Sequence, residues 1–128
     1  MKKETIEYFE KMRDVVVRHD DNGTEQPYSM GALNAYRCYE DSDINHSTVD
    51  GEFVLECEAA PKTEFAEDFL KTLKEAGAEE VIFTNDSGLI DFLHRMNALG
   101  CTIDQTCTVQ KKIFNIDEKT DYGIRLKI

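Results

Sequence analysis

From Glu52 onward the apolar residues change their spacing again and again between a period of two and a period near 3.6, and this restricts the fold more than any other feature. Phe53, Leu55 and Cys57 alternate with Glu52, Glu56 and Glu58, as in a half-buried strand with one wet face. Pro61 breaks that strand. Thr63 is placed to cap a helix whose Phe65, Phe69, Leu70, Leu73 and Ala76 form one apolar stripe, with Gly77 as its C-terminal stop. Val81-Ile82-Phe83 reads as a buried strand. Asp86 or Ser87 is placed to cap a second helix with the face Leu89, Phe92, Leu93 and Met96, ended by Gly100. Cys101, Ile103, Cys107, Val109 and Ile113 then alternate with Thr102, Asp104, Thr106, Thr108 and Lys112 as a long strand exposed on one side. Asn115 to Asp121 reads as a hairpin loop, and Tyr122, Ile124, Leu126 and Ile128 mark the last strand.

Strands joined by helices imply parallel neighbours with right-handed crossovers, whereas the last two strands pair antiparallel. The expected fold is therefore α/β (α+β), a mixed sheet with helices packed on it. Before Glu52 the pattern is weaker. Residues 3–18 read as a helix with Thr5, Phe9, Met12 and Val16 on one face, stopped by Asp20-Asp21-Asn22-Gly23. The aromatic content of residues 31–39, with Leu33, Tyr36, Cys38 and Tyr39, favours a strand over a short helix, and Glu40 to Gly51 reads as a polar loop. No linker divides the chain, so 1–128 reads as a single domain: residues 1–50 a helix plus an irregular or strand region, 52–128 strand-helix-strand-helix-strand-strand.

Charge narrows the function classes. The chain has 26 Asp and Glu against 15 Lys and Arg, a formal net charge of −11. Such a surface repels phosphate backbones, so direct nucleic-acid binding is not expected, whereas a basic protein surface is an apt partner. The N-terminal residues are charged, with no apolar signal core, and no apolar run approaches the roughly 18 residues that cross a bilayer. A cytoplasmic location without membrane association is expected. There Cys38, Cys57, Cys101 and Cys107 would be reduced, small apolar core residues. None forms a C-x-x-C pair.

The element order from Glu52 to Ile128 resembles the C-terminal half of a GNAT-type acetyltransferase. That family carries a Gly-rich turn with Arg or Gln between the first of these strands and its helix, which cradles the acyl-CoA pyrophosphate. Here the junction reads Glu58-Ala59-Ala60-Pro61-Lys62-Thr63, without Gly and with an acid where an anion must bind. The resemblance implies a GNAT-like fold without acyl-CoA binding; a divergent acyltransferase or ligand-binding domain is the alternative. Phe69 to Gly77, Thr84 to Leu89, His94 and Gly100-Cys101-Thr102 resemble small accessory proteins of phages and conjugative elements of gut bacteria. That resemblance implies a mobile genetic element, where small acidic proteins inhibit host defence nucleases in the anti-CRISPR or anti-restriction manner.

Asp41, Asp43 and Asn45 with Glu52 stand at the first, third, fifth and twelfth positions of a calcium-loop pattern, but His46 replaces its turn glycine. No cofactor and no catalytic residue are indicated. His19, His46 and His94 are scattered, a pairing of His94 with Cys101 or Cys107 has no local support, and Ser87 lacks the nucleophile-elbow pattern. The acidic stretch Glu40 to Glu58 is the candidate contact surface: Asp41, Asp43, Asp50, Glu52, Glu56 and Glu58 would form one negative face that competes with phosphates for a basic groove. A small self-associating regulatory subunit, pairing through an open sheet edge, is a further alternative.

Overall fold

The computed structural model describes residues 1–128. Four α-helices, α1 (Lys3–Asp21), α2 (Met30–Ile44), α3 (Ala66–Glu75) and α4 (Leu89–Ala98), accompany six strands. The strands are β1 (Thr48–Val49), β2 (Glu52–Phe53), β3 (Glu56–Cys57), β4 (Glu80–Phe83), β5 (Thr102–Ile113) and β6 (Asp117–Lys127). They form one mixed sheet in the order β2-β1-β5-β6-β4-β3.

The two outermost strands, β2 and β3, are consecutive pieces of the same extended stretch. Residues 52–57 therefore pair with β1 at one edge and with β4 at the other, so the sheet curls until its edges meet. Only β3 and β4 are parallel; β4 is antiparallel to β6, which lies between it and β5. The expected parallel neighbour of β4 across α4 is thus displaced by the last strand.

One face of the sheet carries the helices. Val81, Phe83, Leu126, Leu55 and Cys57 join Phe9 and Met12 of α1, Ala35 and Tyr39 of α2, Phe69 and Leu73 of α3, and Phe92 and Met96 of α4 in one buried cluster. Phe92 meets Phe69 and Phe83 edge-on, with centroids 5.4 and 5.7 Å away. The expected stripes of α1, α3 and α4 are the buried ones, and Gly77, at φ 74°, lets the chain leave α3. On the inner face of the curl lies a second, smaller cluster of Val54, Ile82 and Val109.

Several expectations are corrected. Residues 31–39 are helical, not a strand. Ser29 accepts a bond from the Ala32 N–H at 3.2 Å, and Ala32, Ala35, Tyr36 and Tyr39 recur at helical spacing. The helix takes in residues to Ile44, and within the rest of the expected loop Thr48–Val49 form β1, which turns through Asp50-Gly51 into β2. Gly31 makes α2 possible: a Cβ there would stand 2.6 Å from both Asp68 Cβ and the Phe65 carbonyl, so α2 approaches α3 closer than any side chain would allow. Thr63 opens a 3-10 turn rather than capping α3, and Gly88, at φ 67°, precedes α4 where Asp86 or Ser87 was expected. Asp117 to Asp121 belong to β6, leaving Phe114 to Ile116 as the hairpin loop. Between Ile103 and Thr106 the β5–β6 register shifts, and the shift exchanges faces: Ile103 pairs with Leu126 on the helical face, whereas Val109 lies inside the curl. Cys38 and Cys57 form a disulfide from α2 to β3; Cys101 is a buried free thiol and Cys107 a half-buried one.

Candidate functional site

The acidic stretch begins on the last turns of α2, crosses the β1–β2 hairpin and ends after β3. Its two ends are fastened by the Cys38–Cys57 disulfide and by Ser42, whose hydroxyl donates to the Cys38 carbonyl at 2.6 Å and accepts from the Glu56 N–H at 2.8 Å.

The expected acids do not share one role. Glu56, 1% exposed, points into the curl, because the extended stretch alternates between the helical face and the inner face. There it is ion-paired with Lys111 of β5, itself 3% exposed, while Ser47 and Thr84 donate their hydroxyls to its two oxygens at 2.7 and 2.6 Å. Lys111 also meets Glu58 at 2.8 Å and Asp121 at 2.7 Å. Burial pulls the Lys111 ammonium toward neutrality, but hydrogen bonds to Asp121, Glu56 and Glu58 outweigh it and hold the lysine above its ordinary pKa. The Lys111 hydrogen bond holds Asp121 below the usual carboxylate range against its partial burial. Lys111 is therefore a fixed cation and not a nucleophile. Glu56 leaves the expected negative face and becomes part of the scaffold.

Asp43 is likewise engaged. Arg13 of α1 reaches it at 3.1 Å and Glu10 at 3.0 Å, and lies over the Tyr39 ring at 5.6 Å. Tyr39 donates to Glu10 at 2.6 Å and stacks on Phe9. Asp41, Asp50, Glu52 and Glu58 remain exposed. Burial raises the Asp41 carboxyl pKa, and Glu58, Glu40 and Glu56 raise it further, against a weaker pull from Arg37. Three carboxylates thus act on Asp41 against one guanidinium, that of Arg37. Asp50 stands at the tip of the β1–β2 turn with φ 51°.

The calcium-loop reading is corrected by this geometry. Asp41 and Asp43 lie within α2, Asn45 ends it and donates from its amide to Glu58 at 3.1 Å, and Glu52 lies in β2, so the four do not surround one point. No group of three or more His, Cys, Asp or Glu side chains has metal-holding geometry. His94 is exposed on α4, and burial raises the Cys101 thiol pKa, which opposes thiolate formation. No helix is long and apolar enough to cross a membrane.

Lys111 is a site residue that no motif marks. Its signal is parity: it shares a face with Val109 and Cys107, so an alternating strand pattern puts a lysine where an apolar side chain belongs. Fold and site together define an α+β protein with a curled sheet, centred on a buried ion cluster and bearing an acidic strip. No protein-family model, curated protein or solved structure matches the chain.

Proposed function

We propose that the protein is a non-enzymatic binding protein whose acidic strip engages a basic surface on another protein, of the kind that grips nucleic acid. Asp41, Asp50, Glu52 and Glu58 make the contact, while Asp43, paired with Arg13, and the buried Glu56 hold the strip in place. The observation that carries this reading is geometric: Asp41, Asp50, Glu52 and Glu58 are exposed together on a stretch whose two ends are fastened by the Cys38–Cys57 disulfide and the Ser42 hydrogen bonds. A rigid array of exposed carboxylates attracts a cationic groove and loses little entropy on docking.

In the mobile-element setting implied by the sequence resemblance, the partner is a host defence nuclease and the protein its anti-CRISPR or anti-restriction type inhibitor. Capture from bacterial lysate at low and at high salt, followed by mass spectrometry, tests the reading. A nucleic-acid-binding protein retained only at low salt supports it; retention that is indifferent to salt and to Asp41→Asn with Glu58→Gln overturns it.

The element order from β3 to β6 favours the second reading, a GNAT-like acyl-CoA-binding domain. At 100 times its Kd a bound acyl-CoA adds about 2.7 kcal/mol to stability, so an unchanged melting temperature at millimolar acetyl-CoA refutes it.

A further inference from the structure

The β5–β6 hairpin ends in a turn whose two leading residues, Phe114 and Asn115, have φ of 55° and 58°. Ile116 N–H donates to the Ile113 carbonyl across it at 3.1 Å. Asn tolerates this left-handed conformation, but in Phe the Cβ crowds the following carbonyl, and hairpin turns of this hand ordinarily take Asn, Asp or Gly. Packing does not offset the strain, because Phe114 is 80% exposed and Ile116 82%. The fold by itself is thus better served by glycine at 114, and an unrelieved backbone outlier bearing an exposed aromatic points to use outside the fold.

The tip is tied to the acidic strip. Lys112 N–H donates to the Asn45 carbonyl at 2.8 Å, which fastens this end of β5 to the residue that ends α2, next to the half-exposed Ile44. Around the tip itself the exposed charges are of both signs, Lys112 and Lys119 against Asp117 and Glu118, and exposed apolar side chains ringed by charged ones are the arrangement in which a few residues dominate binding. Charge selects the occupant. A second copy carries the same net −11 and the same acidic strip, and an anionic lipid surface repels both.

We propose that Phe114 and Ile116, held out by the strained turn, are the apolar anchor that seats in a cleft of the same basic partner whose rim the acidic strip engages. This rests on the acidic-strip reading. Photo-crosslinking separates the two: benzoylphenylalanine replaces Phe114, Ile116, Asp41, Glu58 or, as a control on α4, Ile90, in the full chain mixed with bacterial lysate. The expected result is one adduct of the same mass from the sites at 114, 116, 41 and 58, formed only at low salt and absent from the site at 90. Adducts from 41 and 58 but not from 114 and 116 refute the anchor and leave the strip reading standing. A doubled mass of the chain itself from 114, lipid adducts there, or no adduct from any site overturn the anchor, and the last of these overturns the strip reading as well. Phe114→Gly gives a second readout. Retention of the crosslinked partner falls roughly tenfold or more while the melting temperature rises; a fall in melting temperature shows instead that Phe114 supports the fold, and refutes the proposal.

Discussion

Replacing Lys111 by Met removes the only cation that pairs with Glu56 and Glu58 and leaves Asp121 with Lys119 alone, at 3.6 Å. Glu58 and Asp121 still reach water, with side chains 47% and 24% exposed, but Glu56 does not, at 1%. Stripping the partner from a buried charge costs about 3–5 kcal/mol, a large share of a total that is about 0.05–0.15 kcal/mol per residue for native domains. An unfolding entropy near 2.1 cal/mol/K per residue turns about 4 kcal/mol into a fall of roughly 15 °C in melting temperature for a chain of 128 residues. The chain has no Trp, so unfolding in urea is best followed by far-UV circular dichroism; at an m-value of about 2 kcal/mol/M the midpoint drops by roughly 2 M. Glu56→Gln in the same chain keeps acceptor and donor positions for Ser47 and Thr84 while removing the stranded charge, so the double variant recovers more than half of the loss. A single variant within about 1 kcal/mol of wild type, or a double variant whose loss is the sum of the two single ones, refutes the view that this cluster is coupled and buried.

Reducing the Cys38–Cys57 disulfide reopens a loop of sequence separation 19 and lowers stability by about 3 kcal/mol on chain-entropy grounds, measured as a urea-midpoint shift with and without reductant; no shift contradicts the pairing. Gly31→Ala forces α2 and α3 apart and costs about 1–3 kcal/mol, read from the same melts, with an unchanged midpoint as the contrary result. Asp121 has a lowered pKa, so its contribution is complete above the ordinary carboxylate pKa near 4 and is lost as pH falls through its lower folded value; the Lys111→Met variant, which keeps only Lys119 beside Asp121, should lose most of this acid dependence in melts from pH 2 to 7. Asp41 has a raised pKa, so the native state disfavours its charge: Asp41→Asn raises the melting temperature at neutral pH while weakening partner capture. A variant that loses both stability and capture contradicts its assignment to the contact.

The parts of the fold legible in the sequence are those with a long apolar stripe on one side. The faces of α1, α3 and α4 are found buried with Val81 and Phe83, and Ile82 of the same run is buried on the other face of the sheet, inside the curl. α2 was obscured because its close contact uses Gly31, Ala32 and Ala35, small residues that barely register as apolar, while its tyrosines suit a strand equally well. The register shift in β5 was illegible for a different reason. Asp104 and Gln105 look like ordinary outward residues, yet they exchange the faces of Ile103 and Val109. β6 begins earlier than its apolar pattern because residues 117–120 are exposed and no burial marks them. At the site, the acidic composition was plain, but composition does not distinguish a scaffold acid from a surface one. Only the successive pairing of β3 with β4, β4 with β6 and β6 with β5 brings Glu56, Lys111 and Asp121 together across stretches of chain that share no local pattern.

The most direct test of the acidic-strip account is competition on the captured partner. A fluorescently labelled oligonucleotide is bound to that partner, and its anisotropy is followed as the protein is added. The account predicts stoichiometric displacement that weakens with salt and is lost with Asp41→Asn, Asp50→Asn, Glu52→Gln and Glu58→Gln combined. An oligonucleotide that stays bound while the protein binds beside it, or displacement unaffected by the four substitutions, contradicts it.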